Sequence, residues 1–279
     1  MTEVAEPVLI SLVNESSGPC WYCEKDKPSK KLKNDLEAHG QTNVSEDVDA
    51  VPENDLGNSS SKLGDSLGNK PDNWDITNPD STLRSDGALT VKITPAAHHC
   101  IPGNASLKRV PNLISDFMSE GGKYAHNSDI GYDVNSAQNG VWLPGNYNVR
   151  VANGWKKTWS VCEDSFIEEY TKKAMDEAKC QFHDAHDSYS DHVIKTLENF
   201  YNELSKRKAA EAKECPVCKK SMEGKEKDPP FGLVAKLNKA SNDYRNILKP
   251  VNKSNKKSMA YVKQGYVTSW SVKIYYGVP

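Results

Sequence analysis

The stretch "PAAHHCIPG", residues 95–103, sets two histidines, His98 and His99, at the end of an apolar run and just ahead of a turn. An imidazole with an ordinary pKa of about 6.5 can take a proton at physiological pH or offer a lone pair to a divalent cation. Taken alone, the pair reads equally well as one core histidine and one solvent-facing one. Two downstream segments shift that balance. An asparagine, Asn139, lies in the turn "QNGVWLP", and "HDAHDSY" then brings His183 and His186 to the start of a helical pattern. Each has a plain alternative: Asn-Gly is a common turn pair, and His186 could simply flank a helix. His126 in a polar loop and His192 inside the helical pattern read as structural, and Asp133 and Asn135 in "GYDVN" read as loop-shaping residues that could support a neighbouring site.

Seven cysteines are present, and four fall in two C-x-x-C pairs, Cys20 with Cys23 in "CWYC" and Cys215 with Cys218 in "CPVC". That spacing lets two thiolates reach one zinc, and four thiolates close a tetrahedral shell with no position left for substrate, so the expected zinc is structural. A redox pair is the weaker reading, since neither motif sits in a thioredoxin-like strand and helix pattern. A zinc deaminase would need an H-x-E element that "HHC" does not provide. Cys100, Cys162 and Cys180 read as small buried residues.

The elements that must position these residues follow from periodicity. "ALTVKIT" alternates Leu89, Val91 and Ile93 as a strand leading into the histidines, and "GVWLP" is a second short strand. "NASLKRVPNLISDFMSEGG" spaces its apolar residues as a helix, followed by two more helical patterns from Ser165 to about Glu214 and a basic one from Phe231. "AYVKQGYVTSWSVKIYY" reads as a strand pair. The 279-residue chain can bury one large core or two modest ones. We expect an N-terminal segment over 1–37 carrying the first cysteine pair and an acidic flexible insertion over 38–72, too polar to offset its ordering entropy. A core domain over 73–214 and a basic end over 215–279 complete the chain. A net charge of −2 hides this asymmetry: from Phe231 onward nine Lys and Arg face a single acid, Asp243. Interleaved with aromatics, Lys236, Lys239, Arg245 and Lys249 could neutralise phosphates, or form an ordinary solvated face. The N-terminus has no basic region or long apolar run, so neither a signal peptide nor a membrane span is expected.

"AAHHCIPG", "GYDVNSAQNGVWLPG" and "HDAHDSYSDHVIKTL", in that order across residues 89–204, resemble the AHH family of the His-Asn-His/endonuclease VII superfamily, whose nucleases recur as bacterial toxin domains. The resemblance implies an α+β fold: a ββα-metal nuclease core embedded in a mainly helical domain, beside the cysteine knuckle pair and the C-terminal hairpin. It implies His99 as general base, and His98, Asn139 and His186 around a catalytic cation, with His183 a further candidate although it stands three residues before His186 where the family often has four. Mg or Mn is the expected ion, with Ni, Co or Zn as alternatives for a ligand set rich in imidazole. The expected activity is metal-dependent hydrolysis of DNA with little sequence preference. The expected setting is a toxin made in the bacterial cytoplasm, delivered into a target cell by a specialised apparatus such as type VI secretion, with or without a chaperone, and neutralised by a cognate immunity protein. A housekeeping or mobile-element nuclease, and a zinc-stapled binding module with inert histidines, are the competing readings.

Overall fold

The computed structural model describes residues 53–206, 213–215, 219–221, 223, 228–249 and 269–276. Cys20, Cys23 and Cys218, and the expected insertion up to residue 52, lie outside them. The elements form a mixed α+β set, and the chain divides into two compact units. One comprises Met1–Gly68, His99–Gly140 and Ser190–Asp243; the other comprises Asn69–His98, Val141–Tyr189 and Tyr244–Pro279.

The second unit is built on an antiparallel pair, β1 (Trp74–Thr77) and β2 (Thr90–Ile93), with Trp74 opposite Ile93 and Thr77 opposite Thr90. On β2 the strand period of two sends Val91 and Ile93 inward and Thr90 and Lys92 outward. Helix α2 (Asp164–Ala178) lays Phe166, Ile167, Tyr170, Ala174 and Met175 against them, and Val149, Trp155 and Phe182 complete the core. α2 stops where Lys179 turns left-handed at φ 55°, its N–H returning to the Met175 carbonyl.

The second half of the expected C-terminal hairpin is instead a helix, residues 269–276, and residues 261–268 lie outside the described ones. The apparent alternation of "SWSVKIYY" misleads because, among the side chains described there, the partly or fully buried ones are Trp270, Ser271 and Ile274, which share one helical face. Trp270 packs on the core, and the Lys273 ammonium meets the Glu168 carboxylate of α2 at 2.8 Å.

In the first unit a helix forms inside the stretch expected to be loose. α1 (Ser60–Leu67) begins where the Ser59 hydroxyl accepts the Lys62 N–H, and ends at Gly68 with φ 55°. Its Leu63 is fully buried. Ahead of it, Asp55 bridges Asp133 in parallel, donating to the Tyr132 carbonyl at 3.0 Å and accepting from the Val134 N–H at 2.9 Å. One apolar side chain and a few backbone bonds thus order a segment whose average composition is polar. The single helix expected near residues 104–120 is broken instead: a 3-10 turn covers Leu107–Arg109, a short helical turn covers Pro111–Leu113, and a π turn covers Ile114–Met118. Pro111 has no N–H to continue a ladder and sits at the first helical position, where none is needed.

β3 (Pro95–His99) and β4 (Gly140–Pro144) form the other two-stranded sheet. Helix α3 (Asp187–Ser205) follows His186 directly, and α4 (Gly232–Leu248) carries the basic sequence. No helix among the described residues is long and apolar enough to cross a membrane.

Leu63→Ala removes a fully buried side chain, so its unfolding free energy in urea should fall by about 2–5 kcal/mol. A loss below about 0.5 kcal/mol would show that α1 is not docked.

Candidate metal centre

Three of the expected histidines converge within the second unit. His98, near the end of β3, is 1% exposed, and its ring centroid lies 5.1 Å from that of His183 and 5.3 Å from that of His186; the latter two are 5.6 Å apart. One ligand nitrogen from each lies within 4.8 Å of the others. Imidazole nitrogens each about 2.0–2.1 Å from a shared ion are at most about 4.2 Å apart, so the cluster needs only slight contraction to hold one. Burial pushes the His186 imidazole below its ordinary pKa, against the raising pull of the Asp187 and Asp184 carboxylates. Its neutral form, the one with a lone pair to give, is therefore favoured.

The local chain explains the convergence. The His183 N–H donates to the Pro144 carbonyl at 2.7 Å, pinning it to the end of β4. Gly145 permits this approach, since a Cβ there would meet the Ala96 Cβ at 3.3 Å and the His183 carbonyl oxygen at 3.5 Å. Asp184 accepts from Asn146 Nδ2 at 2.7 Å and from Trp159 Nε1 at 2.8 Å, which fixes the loop between the two histidines. Tyr189, fully buried, sets a ring edge against His98 at 5.3 Å and is backed by Tyr244 at 5.6 Å.

His99 belongs to the first unit and is 7% exposed. Its Nε2 lies 3.0 Å from Asn135 Oδ1. The orientation of that amide is settled by its other bonds: Oδ1 accepts the Ser59 N–H at 2.9 Å and Nδ2 donates to the Gly57 carbonyl at 2.9 Å. Flipping it would set donor against donor and acceptor against acceptor. Nε2 of His99 must therefore carry the proton, and in the neutral ring Nδ1 keeps the lone pair.

Asn139, expected as a ligand, is fully buried with its amide already committed. Oδ1 accepts from the Ile101 N–H and the Ser241 hydroxyl, each at 2.8 Å, while Nδ2 donates to the Ile101 and Val134 carbonyls at 3.0 and 2.8 Å. Two lone pairs and two N–H groups are all an amide has, so nothing remains for a cation. Its backbone carbonyl also accepts the Cys100 N–H at 2.8 Å. Asn139 is thus a clasp between the segment after β3 and the turn before β4.

Of the basic residues expected to meet phosphates, Lys236 is 8% exposed and its ammonium lies over the Phe200 ring at 5.6 Å, so it faces the interior of its unit. Lys239 and Arg245 are half-buried, and Lys249 is exposed. His126 hydrogen-bonds the Asp116 carbonyl at 3.1 Å in a structural role. Sequence reasoning missed Asp184, although it lies inside "HDAHD", and Tyr147, whose hydroxyl is 3.4 Å from His183 Nδ1. Asp184 was open to inference from its place between two ligand candidates. Trp159 carried no signal of its partnership.

A half-buried, all-imidazole cluster suited to a divalent cation defines the class of site. The chain belongs to the AHH family, a nuclease family of the HNH/ENDO VII superfamily with conserved AHH, whose model matches residues 80–222, and the tripeptide is Ala97-His98-His99. No curated protein and no solved structure matches the chain. Membership implies a hydrolytic nuclease that acts on nucleic acid with a divalent metal.

Substituting His98, His183 or His186 by alanine, one at a time, should weaken Mn²⁺ or Zn²⁺ binding in calorimetric titration by more than the roughly 10–100-fold typical of losing an outer hydrogen-bond partner. Unchanged affinity in any one of them removes that residue from the ligand set.

Proposed function

We propose that the protein is a metal-dependent endonuclease that hydrolyses DNA phosphodiester bonds with little sequence preference. The observation that carries this reading is the convergence of His98, His183 and His186 in a chain whose AHH tripeptide supplies one of the three. These residues would hold the cation, and when bound it would polarise a phosphoryl oxygen and stabilise the charge arriving on the leaving oxygen. His99, the next residue along β3, is the general base, taking the proton of the attacking water at Nδ1. Asn135 holds its ring in the required tautomer, and Asn139 acts as a clasp in place of the expected ligand role. β3, β4 and α3 are read as the strands and helix of a ββα-metal unit.

The test is plasmid nicking by the purified protein in Mg²⁺ or Mn²⁺. His99→Ala should lower the nicking rate by roughly 10²–10⁴-fold while leaving calorimetric metal affinity within about threefold of wild type. Equal nicking by wild type and His99→Ala, or nicking that persists in excess EDTA, would defeat this reading.

A structural zinc held by Cys20, Cys23, Cys215 and Cys218 is proposed alongside it, supported by the geometry around Cys215. That residue is fully buried in a tight turn: its N–H donates to the Lys220 carbonyl at 2.8 Å, and its carbonyl accepts the Lys219 N–H at 2.9 Å. Lys219 takes a left-handed φ of 59°, and Glu214 bridges Ser221. Elemental analysis should find about one zinc per chain beyond any ion in the histidine cluster, lost in Cys215→Ser; retention in that variant would rule the site out.

The biological setting we infer is that of an antibacterial toxin delivered by a specialised apparatus and neutralised by an immunity protein, supported by the family resemblance. Expression in a bacterial cytoplasm should arrest growth and His99→Ala should relieve it. Harmless wild-type expression would favour a housekeeping or mobile-element nuclease.

A further inference from the structure

We propose that Tyr147 and Arg150 form a nucleotide-binding platform beside the metal cluster, Tyr147 stacking on an unpaired base and Arg150 pairing with the phosphate next to it. The inference rests on the nuclease reading and adds to it the part of the substrate that the site grips.

The loop after β4 presents the two side chains by anchoring nearly everything around them. Asn146 donates to Asp184, and Asn148 Nδ2 donates to the Lys92 carbonyl at 2.8 Å. Val149 is buried in the core, its N–H returning to the Asn146 carbonyl at 2.9 Å. Asn153 Nδ2 donates to both the side-chain and main-chain oxygens of Asn148. Within this frame Tyr147 and Arg150 point outward. Tyr147 is 43% exposed, one of few large hydrophobic side chains on the described surface. Arg150 is exposed, and its guanidinium carbon sits 5.8 Å from the Tyr147 ring centroid.

Two features separate this pair from an ordinary surface contact. The first is location: the Tyr147 ring centroid is 5.6 Å from that of His183, and its hydroxyl reaches Nδ1 of that ring. A nucleotide stacked on Tyr147 would therefore have its sugar-phosphate chain close to the proposed cation. The second is charge. Arg84 is paired with Asp86 and Arg109 with Asp191, whereas no carboxylate among the described residues pairs with Arg150. An unneutralised guanidinium, held against an exposed ring next to a site for a divalent cation, matches an anionic ligand with a flat face. Stacking tolerates any base, which accords with little sequence preference. It also demands that the base be out of its duplex, so single-stranded or frayed nucleic acid is the preferred form.

The experiment measures fluorescence anisotropy of the full chain carrying His99→Ala, which blocks cleavage, with labelled single-stranded DNA, single-stranded RNA and duplex DNA in Mn²⁺. Adding Tyr147→Ala should weaken single-strand binding about tenfold, and Tyr147→Phe, which keeps the ring and loses only the hydroxyl, should stay within about twofold. Arg150→Ala should weaken it and flatten the logarithmic salt dependence by about 0.7, the contribution of one phosphate contact on a single strand. Calorimetric Mn²⁺ affinity should be unchanged in the Arg150 variant, and duplex binding should change less than single-strand binding. Unchanged single-strand affinity in Tyr147→Ala, a loss confined to the duplex, or an equal loss in Tyr147→Phe and Tyr147→Ala overturns the platform while leaving the nuclease reading in place. Absence of any nucleic-acid binding by the His99→Ala parent overturns both.

Discussion

The four hydrogen bonds of the Asn139 amide are the constraint on which the join between the end of β3 and the start of β4 depends. Two of them tie Ile101, just past β3, to the turn that opens β4, and a backbone bond from Cys100 to Asn139 adds to the tie. β3 carries His98 into the cluster, and β4 ends at Pro144, whose carbonyl receives the His183 N–H. Within the second unit, the pairing of β3 with β4 and the bond from His183 to Pro144 set where two of the three imidazoles can lie. A buried amide with every donor and acceptor used is an effective anchor, because each bond lost would leave a desolvated polar group behind.

The cluster itself is unusual for its lack of charge. Three imidazoles bring no negative charge to a cation, and Asp184, in the loop between two of them, spends both oxygens on Asn146 and Trp159. The ligand set depends instead on neutral lone pairs, and burial of His186 favours that state. Such a set suits the borderline-soft divalent ions at least as well as Mg, which prefers oxygen ligands.

The chemistry-bearing residues were more legible in sequence than the frame that holds them. His98, His183 and His186 stand out because two short motifs concentrate imidazoles at a strand end and a helix start, and local sequence can report that. The use made of Asn139 could not be read: a turn asparagine and a ligand asparagine look the same until its partners at Ile101, Val134 and Ser241 are known, up to 102 residues away. Helix α1 was missed because mean composition hid Leu63, whose burial depends on distant packing. The helix at 269–276 was misread because an eight-residue apolar and polar mixture fits both periods, and packing on α2 decides between them. Lys236 shows the same limit, since a lysine on a basic helix gives no sign that its ammonium will lie over the Phe200 ring.

The consecutive placement of His98 and His99 on one strand has an evolutionary consequence. A slip of β3 by one residue would carry one imidazole into the other's place and leave Ala97 or Cys100 in the place vacated. Insertions or deletions within β3 would therefore cost the site either the cation ligand or the base, although an imidazole still fills the other place. Length variation among descendants of this chain should accumulate in the loops, while the distance along the strand from Pro95 to Asn139's anchor at Ile101 stays invariant.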